Sequence, residues 1–340
     1  MTKRNGWKTL FLRWLPGIII SALIIFILVS LVNPQELGNA LKKINIEVIL
    51  LASFLMIVSI MARAEGWRSF LENRINFRDA FFILNEGYLL NNILPRSGEI
   101  GRALLLGATS DLSAIQVFST IVIERAFDLI IAAVMFLSTI PFVFTFDWLK
   151  PIATALLIIV LLGLILLFFV AYKKRAVKIW VKKLSEKNKL VRKWVFPHIY
   201  ALLEGLQVLT NPKQLFIGVG WIIVSWSLWT VLFYWLITIF VGDVAFWWAL
   251  FSQSVLSMGI ALPSAPANLG MYEGAIVAAL SVFNVSRSAA LSVALISHAV
   301  QILITSSFGL FGLVMQRQSL GNLLKIIRLR IIKSKNEENV

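Results

Sequence analysis

Residues 83–128 read ILNEGYLLNNILPRSGEIGRALLLGATSDLSAIQVFSTIVIERAFD, a stretch apolar enough to lie in a bilayer yet too charged to face lipid. Asn85, Glu86, Asn91, Asn92, Arg96, Glu99, Arg102, Glu124, Arg125 and Asp128 are distributed through it. Hydrocarbon cannot solvate ionised groups, so charges at membrane depth face a bundle interior or a wet cavity. The run Leu94-Pro95-Arg96-Ser97-Gly98 interrupts any single helix. Proline removes a backbone donor and crowds the preceding turn, and Gly98 and Gly101 weaken the helix beyond it. Backbone groups freed in this way need partners from protein or water. The spacing predicts two short helices over residues 80–106, folded as a re-entrant hairpin with its polar tip near Asn91 to Arg102.

The rest of the chain supplies the helices around that hairpin. Of its 340 residues 59% are hydrophobic, mean hydropathy is +0.85, and several runs reach the roughly 20 residues that span a bilayer. The fold class is therefore all-α, a polytopic helical membrane protein. Alternating strand patterns are missing, which argues against an outer-membrane barrel. The absence of cysteine excludes disulfides, thiolate metal sites and cysteine nucleophiles. A net charge of +15 would suit nucleic acid in a soluble domain, but no recognition module or stacking aromatics accompany it. The basic residues gather instead at the amino terminus (Lys3, Arg4, Lys8, Arg13), in residues 173–193, and in the tail after Arg317. Lys and Arg mark cytoplasmic loops and are drawn to anionic inner-leaflet lipid. The expectation is a cell-membrane protein with both termini cytoplasmic and no nucleic-acid partner.

Read in order, Trp14 to Val32 crosses outward and residues 33–45 form a short outside loop, in which Lys42 and Lys43 run against the charge rule. Ile46 to Ala62 returns, with Arg63, Arg68, Arg74 and Arg78 marking the cytoplasmic side. After the hairpin, Ile115 to Phe144 and Ile152 to Tyr172 cross out and back. Residues 173–213 read as a basic amphipathic connector on the membrane surface, with Trp180, Leu184, Leu190, Trp194 and Phe196 set among lysines. Leu215 to Val241 crosses outward and Ser288 to Met315 returns. Between them, Ala245 to Phe283 is broken at Leu262-Pro263-Ser264-Ala265-Pro266-Ala267-Asn268-Leu269-Gly270, predicting a second re-entrant hairpin open to the opposite face. The organisation expected is one integral membrane domain over 1–340, with halves at 46–172 and 214–316 and a tail at 317–340. Each half has a span, a helix with polar residues, a Pro/Gly break, an acidic residue (Glu99; Glu273) and a long striped span. Inverted repeats with paired broken helices are a recurring transporter plan; the alternative is that such kinks are simply common in membrane helices.

Candidate site residues follow from the same stripes. Glu124 and Asp128 are four apart and share a face, with Arg125 in reach of Asp128. They form either a self-satisfied interior ion cluster or a site in which one member meets a substrate headgroup or a proton. Arg96 and Arg102 flank the first break, where arginine forks and helix amino termini suit phosphate; the alternative is charges snorkelling to the surface. Glu99 is expected to orient one of them. Asn85, Tyr88 and Asn92 line one face, which interhelical hydrogen bonding would also explain. In the second half Glu273 follows the break, and His298, Gln301 and Thr305 form another stripe. His298 reads as a satisfied interior histidine or a proton carrier. With His198 as the other histidine, no histidine-rich metal site can be built. The tryptophans, among them Trp221, Trp226, Trp229, Trp235, Trp247 and Trp248, read as interfacial anchors. Nucleotide-loop, HExxH and GxSxG motifs are missing, so neither an ATP-driven pump nor a cofactor is expected.

The segments Asn91 to Arg102, Ser119 to Asp128 and Pro263 to Gly274 resemble the flippase-like transmembrane family found as the amino-terminal part of lysylphosphatidylglycerol synthases and as stand-alone proteins. The resemblance covers nearly the whole chain. It implies a lipid-translocating membrane domain with inverted halves, and it puts Arg96, Glu99, Arg102, Glu124, Arg125 and Asp128 on the family's charged positions. The chain stops at Val340 without the synthases' soluble aminoacyltransferase domain, so it is not expected to make lysyl-lipid. Its second break, Pro-Ser-Ala-Pro-Ala-Asn-Leu-Gly, departs from the family's more usual Pro-x-Pro-Gly-x-x-Gly.

The function expected is a flippase moving a lipid with a charged, phosphate-bearing headgroup, with Asn92, Glu273 and His298 joining the six charged residues at the site. The alternative is a non-transporting partner that holds a lipid-modifying or glycan-assembling enzyme through the basic segments; the protein partner expected is a second copy of the chain or a lipid-biosynthesis enzyme. An intramembrane enzyme is least favoured, since no nucleophile and base pair emerges from the spacing.

Overall fold

Asparagine opens four of the helices. The Asn33, Asn45, Asn76 and Asn211 side chains accept backbone N–H groups of the first turn of α2 (Pro34–Leu41), α3 (Ile46–Phe70), α4 (Phe77–Ile93) and α10 (Pro212–Val241). This satisfies donors that the first turn would otherwise leave bare. The computed structural model describes residues 5–143, 149–187, 196–262 and 264–316, among which every regular element is helical. The remaining α-helices are α1 (Asn5–Leu31), α5 (Gly98–Thr109), α6 (Ala114–Val143), α7 (Leu149–Tyr172), α8 (Lys174–Lys187), α9 (Phe196–Gly205), α11 (Trp247–Gly259), α12 (Met271–Ser281) and α13 (Arg287–Met315). Among the described residues four of them, α3, α6, α10 and α13, are long and apolar enough to cross a membrane, or five if α1 and α2, bent by 92°, count as one broken span. Their outer faces carry bare apolar side chains such as Phe26, Phe54 and Phe216, 70%, 61% and 75% exposed, as lipid contact requires. The protein is a multi-pass membrane protein.

The core is organised on α3 and α10, which run antiparallel along most of their length. Ser59 donates to the Ser225 carbonyl and its hydroxyl meets the Ser225 hydroxyl, both at 3.0 Å. Two helical turns on, Gly66 and Gly218 meet: a Cβ added to either would lie 3.1 or 3.2 Å from the other's carbonyl oxygen. Small residues let the backbones approach this closely. Around this pair, α4 lies along α13 and α11 along α6, while α5 packs on α6 and α12 on α13.

Both breaks lie where the sequence places them. Between α4 and α5 the chain turns at Arg96, whose φ of +58° is left-handed. Ser97 donates to the Leu90 and Leu94 carbonyls, and the Gly98 amide donates to Asn91 Oδ1 at 2.7 Å. Gly98 is obligatory here, because a Cβ would stand 2.3 Å from the Gly87 carbonyl oxygen. Between α11 and α12, Ala267, Asn268 and Gly270 are left-handed at +55°, +56° and +81°. Ser21 of α1 accepts the Ala265 amide at 2.9 Å, so α1 braces this second break. Pro263 lies outside the described residues, as do the tail after Gln316 and residues 188–195 of the basic connector.

The described part of that connector is less peripheral than expected. Lys174 donates to Gln207, and Lys178 lies over the Tyr200 ring, so some of its charge is spent on joining α8 to the segment after it. Leu206, Val208 and Leu209 are buried in a core cluster with Phe70, Ile123 and Trp226. Trp180 stays 64% exposed, in keeping with a surface-lying α8; the side chains of Leu184, Leu190, Trp194 and Phe196 lie outside the described residues. Lys43, out of place by the charge rule, donates to the Ile239 and Phe240 carbonyls at the end of α10, where a cation suits the free carbonyls and the helix dipole.

Candidate functional site

In the middle of α6, Glu124 is wholly buried and each of its oxygens takes an arginine. Arg63 Nε of α3 donates to Oε1 and Arg102 Nη2 of α5 donates to Oε2, both at 2.8 Å. Arg63 then forks onto Asp128 one turn along α6, Nη1 meeting Oδ1 at 2.7 Å and Nη2 meeting Oδ2. Trp226 of α10 donates to Asp128 Oδ1 at 2.9 Å. At the edge, Arg125 bridges Asp128 and Glu99, 3.3 Å to each. The Arg102 guanidinium lies 4.0 Å from the centre of the Trp67 ring, a desolvated cation on an aromatic face. Arg102 Nε and Nη1 and Arg125 Nε have no hydrogen-bond partner among the described residues. The cluster thus balances three arginines against three carboxylates and keeps spare donors.

The second half has a smaller counterpart. His298 of α13 sets Nδ1 2.6 Å from Glu273 Oε1 of α12 and Nε2 2.8 Å from the Ala267 carbonyl oxygen. Glu273 Oε2 accepts the Gly270 amide at 2.7 Å, and the Tyr272 ring is stacked on the imidazole at 4.0 Å. In both halves, then, an acid and a base join the helix after the break to the long helix that follows it.

The sequence profile of the lysylphosphatidylglycerol synthase TM region matches residues 14–309. The chain belongs to that family. It is 23% identical over 328 residues to a UPF0104 membrane protein of Methanocaldococcus jannaschii, covering 89% of this chain and 95% of that one. A UPF0104 membrane protein of Methanothermobacter thermautotrophicus is 24% identical over 320 residues, 86% and 92% of the two chains. No solved structure matches.

Glu99, Arg102, Glu124, Arg125 and Asp128 come together as one cluster, with Arg125 on Asp128 as the spacing suggests but with the other pairings different. Arg96 and Arg102 are apart. Arg102 is buried on Glu124, whereas Arg96 is exposed and donates to the Ala261 carbonyl just before the second break. Glu99 holds neither of them and pairs with Arg125. Asn92 donates to Thr305 and Ser306 of α13 at 3.3 and 3.0 Å, joining the two polar stripes as an interhelical contact. Asn85 donates back to its own helix at Phe81.

Three residues of the cluster escaped the sequence reading. Arg63 is not a cytoplasmic marker, because α3 continues to Phe70 and folds that arginine inside. Trp226 is not an interfacial anchor but a buried donor to Asp128, and Trp67 is the ring beneath Arg102. Each meets its partner across helices, so local spacing carries no signal for it. Among the described residues an open hollow of about 620 Å³ lies between Arg74 to Asp79 and Thr109 to Leu112, lined by none of the cluster's side chains.

Proposed function

We propose that this protein moves a lipid with an anionic, phosphate-bearing headgroup between leaflets of the cell membrane, without changing it covalently, from a bundle with both termini on the cytoplasmic side. The observation that carries the reading is Arg102, 2% exposed, with two guanidinium nitrogens to spare. A buried arginine with unused donors is poised for a second acceptor, and phosphate oxygens fit its fork. Arg125 is the cluster's partly exposed edge, held to Glu99 by a 3.3 Å contact, and is the member an incoming anion would reach first. The carboxylates neutralise the arginines while no headgroup is bound, which lowers the cost of keeping them at membrane depth.

The helix, break and helix units support a pair of re-entrant hairpins, and the packing supports inverted halves. The antiparallel contact of α3 with α10, and the matching roles of α4 on α13 and α11 on α6, are what a two-fold axis in the membrane plane produces. Headgroup passage between the halves, with the acyl tails left in hydrocarbon, avoids dragging phosphate through the bilayer core. A scaffolding role through the basic connector is less favoured, since Lys174 and Lys178 are engaged within the chain.

The test is leaflet exchange in vesicles. Purified protein reconstituted with fluorescent phosphatidylglycerol should speed the loss of leaflet asymmetry, return the lipid unaltered, and leave a fluorescent diacylglycerol at its protein-free rate. Arg102→Gln and Arg96→Ala should each slow exchange about tenfold or more, the effect of roughly 1.4 kcal/mol on a barrier. Wild-type rates in both folded variants would remove the arginines from the mechanism.

A further inference from the structure

The second half places a histidine between two groups that can only accept or share a proton. A carbonyl oxygen has no hydrogen to give, so the 2.8 Å contact with Ala267 requires an N–H on His298 Nε2. The 2.6 Å contact between Nδ1 and Glu273 Oε1 requires a second proton, on the nitrogen or on the carboxyl oxygen. A neutral imidazole beside an ionised carboxylate has only one. We propose that Glu273 and His298 hold one additional, exchangeable proton between them, and that this proton is the coupling ion of lipid movement. The second clause rests on the transport reading above; the first does not.

The geometry says what the proton's departure to water would do. Either Nε2 turns a lone pair to the Ala267 oxygen, or Nδ1 turns one to Oε1, and two acceptors at such distances repel. The backbone under strain is the break itself. Ala267 and Asn268 have left-handed φ values of +55° and +56°, which side-chain-bearing residues rarely adopt and which persist only where surroundings hold them. His298 holds Ala267, and Glu273 holds the amide of Gly270. Losing the proton frees one end of that turn, which also lies against α4 beside the first break. His298 and Glu273 are 4% and 7% exposed, so exchange with water requires the turn to open, which couples protonation to conformation.

Among the titratable groups around the pair, Tyr272 lies flat on the imidazole. The described part of α1, from Leu15, and α11 bring none. On α4 stand Arg78, Asp79, Glu86 and Tyr88, at the first break Arg96, which donates to the Ala261 carbonyl, and on α13 itself Arg287. The other helices packed on α13 bring Glu36 of α2, which accepts the Ser288 hydroxyl, and Lys213 and Tyr234 of α10. They also bring Glu47, Arg63, Glu65 and Arg68 of α3, of which Glu65 is paired with Arg68 and Arg63 with the α6 carboxylates.

Because the chain has two histidines, His198→Gln leaves a single imidazole to observe. That protein, labelled with 15N-histidine in phosphatidylglycerol and phosphatidylethanolamine vesicles, should show N–H character at Nε2 at the acid end and, at Nδ1, either N–H character or the shift of a nitrogen accepting the Glu273 carboxyl proton. One proton should then leave in a single step within about pH 5 to 9. Glu273→Gln should move that step by about one pH unit or more. The fold should survive, since the glutamine oxygen can accept the Gly270 amide and its NH2 can donate to Nδ1. Ring shifts that stay flat across the range, or a step that Glu273→Gln leaves in place, overturn the proton site. In the same vesicles a gradient of one pH unit should change the exchange rate of fluorescent phosphatidylglycerol by up to about tenfold, the free energy of one proton across it. The change should vanish in Glu273→Gln. Exchange that ignores the gradient overturns the coupling and spares the site. If no lipid moves in wild type, the coupling falls with the transport reading, and the nitrogen spectra alone judge the site.

Discussion

Arg63 leaves its own helix to meet two carboxylates of α6, with its side chain 10% exposed. Removing one partner of a buried ion pair strands the other charge, at a cost of about 3 to 5 kcal/mol. Arg63→Met is therefore expected to lower the thermal unfolding temperature in detergent sharply. Arg68→Met, five residues on in the same helix, breaks only a pair with Glu65 whose members are 27% and 20% exposed, and should cost about 1 kcal/mol or less. Equal losses in the two variants would show that the cluster is no tighter than a surface pair. Glu124, Arg125 and Asp128 were legible in the sequence because three- and four-residue spacing sets them on one helix face. Arg63 and Trp226 were not, since their partners lie on another helix, far along the chain.

Among the elements, the first break shows how far a proline and a glycine can be read. Pro95 and Gly98 indicate that the helix stops and starts again. They do not indicate that Gly98 is pressed on the Gly87 backbone, or that Asn91 and Ser97 satisfy the amide and carbonyls the break sets free. Those contacts depend on how α4 and α5 fold back on each other. Gly98→Ala should accordingly destabilise, because a methyl group 2.3 Å from a backbone oxygen forces the two helices apart. Gly220→Ala, in the same kind of helical backbone with nothing within 4 Å of the added carbon, should instead stabilise by up to about 1 kcal/mol through helix propensity alone. Opposite signs in thermal unfolding are the outcome to look for. A neutral Gly98→Ala would mean that the break is loose.

For the molecule as a whole, two contacts between the halves invite different roles. On α3 and α10, Ser59 and Ser225 meet beside paired glycines at the centre of the antiparallel pair. Points nearest a two-fold axis move least when two halves rock against each other. On α4 and α13, Asn92 reaches Ser306 beside the first break, which in the proposed inverted-repeat reading lies farther from the axis relating the halves. Since the chain has no cysteine, pairs can be introduced without background. Ser59→Cys with Ser225→Cys, whose parent oxygens are 3.0 Å apart, should cross-link under mild oxidation and leave lipid exchange near the wild-type rate. Asn92→Cys with Ser306→Cys, bridged by a short bifunctional thiol reagent, should stop exchange until the bridge is reduced. If the first cross-link also stops exchange, α3 and α10 slide and are no pivot. If the second leaves exchange running, the lipid does not pass by separation of α4 from α13, and its route lies along the Glu99 and Arg125 edge of the charge cluster.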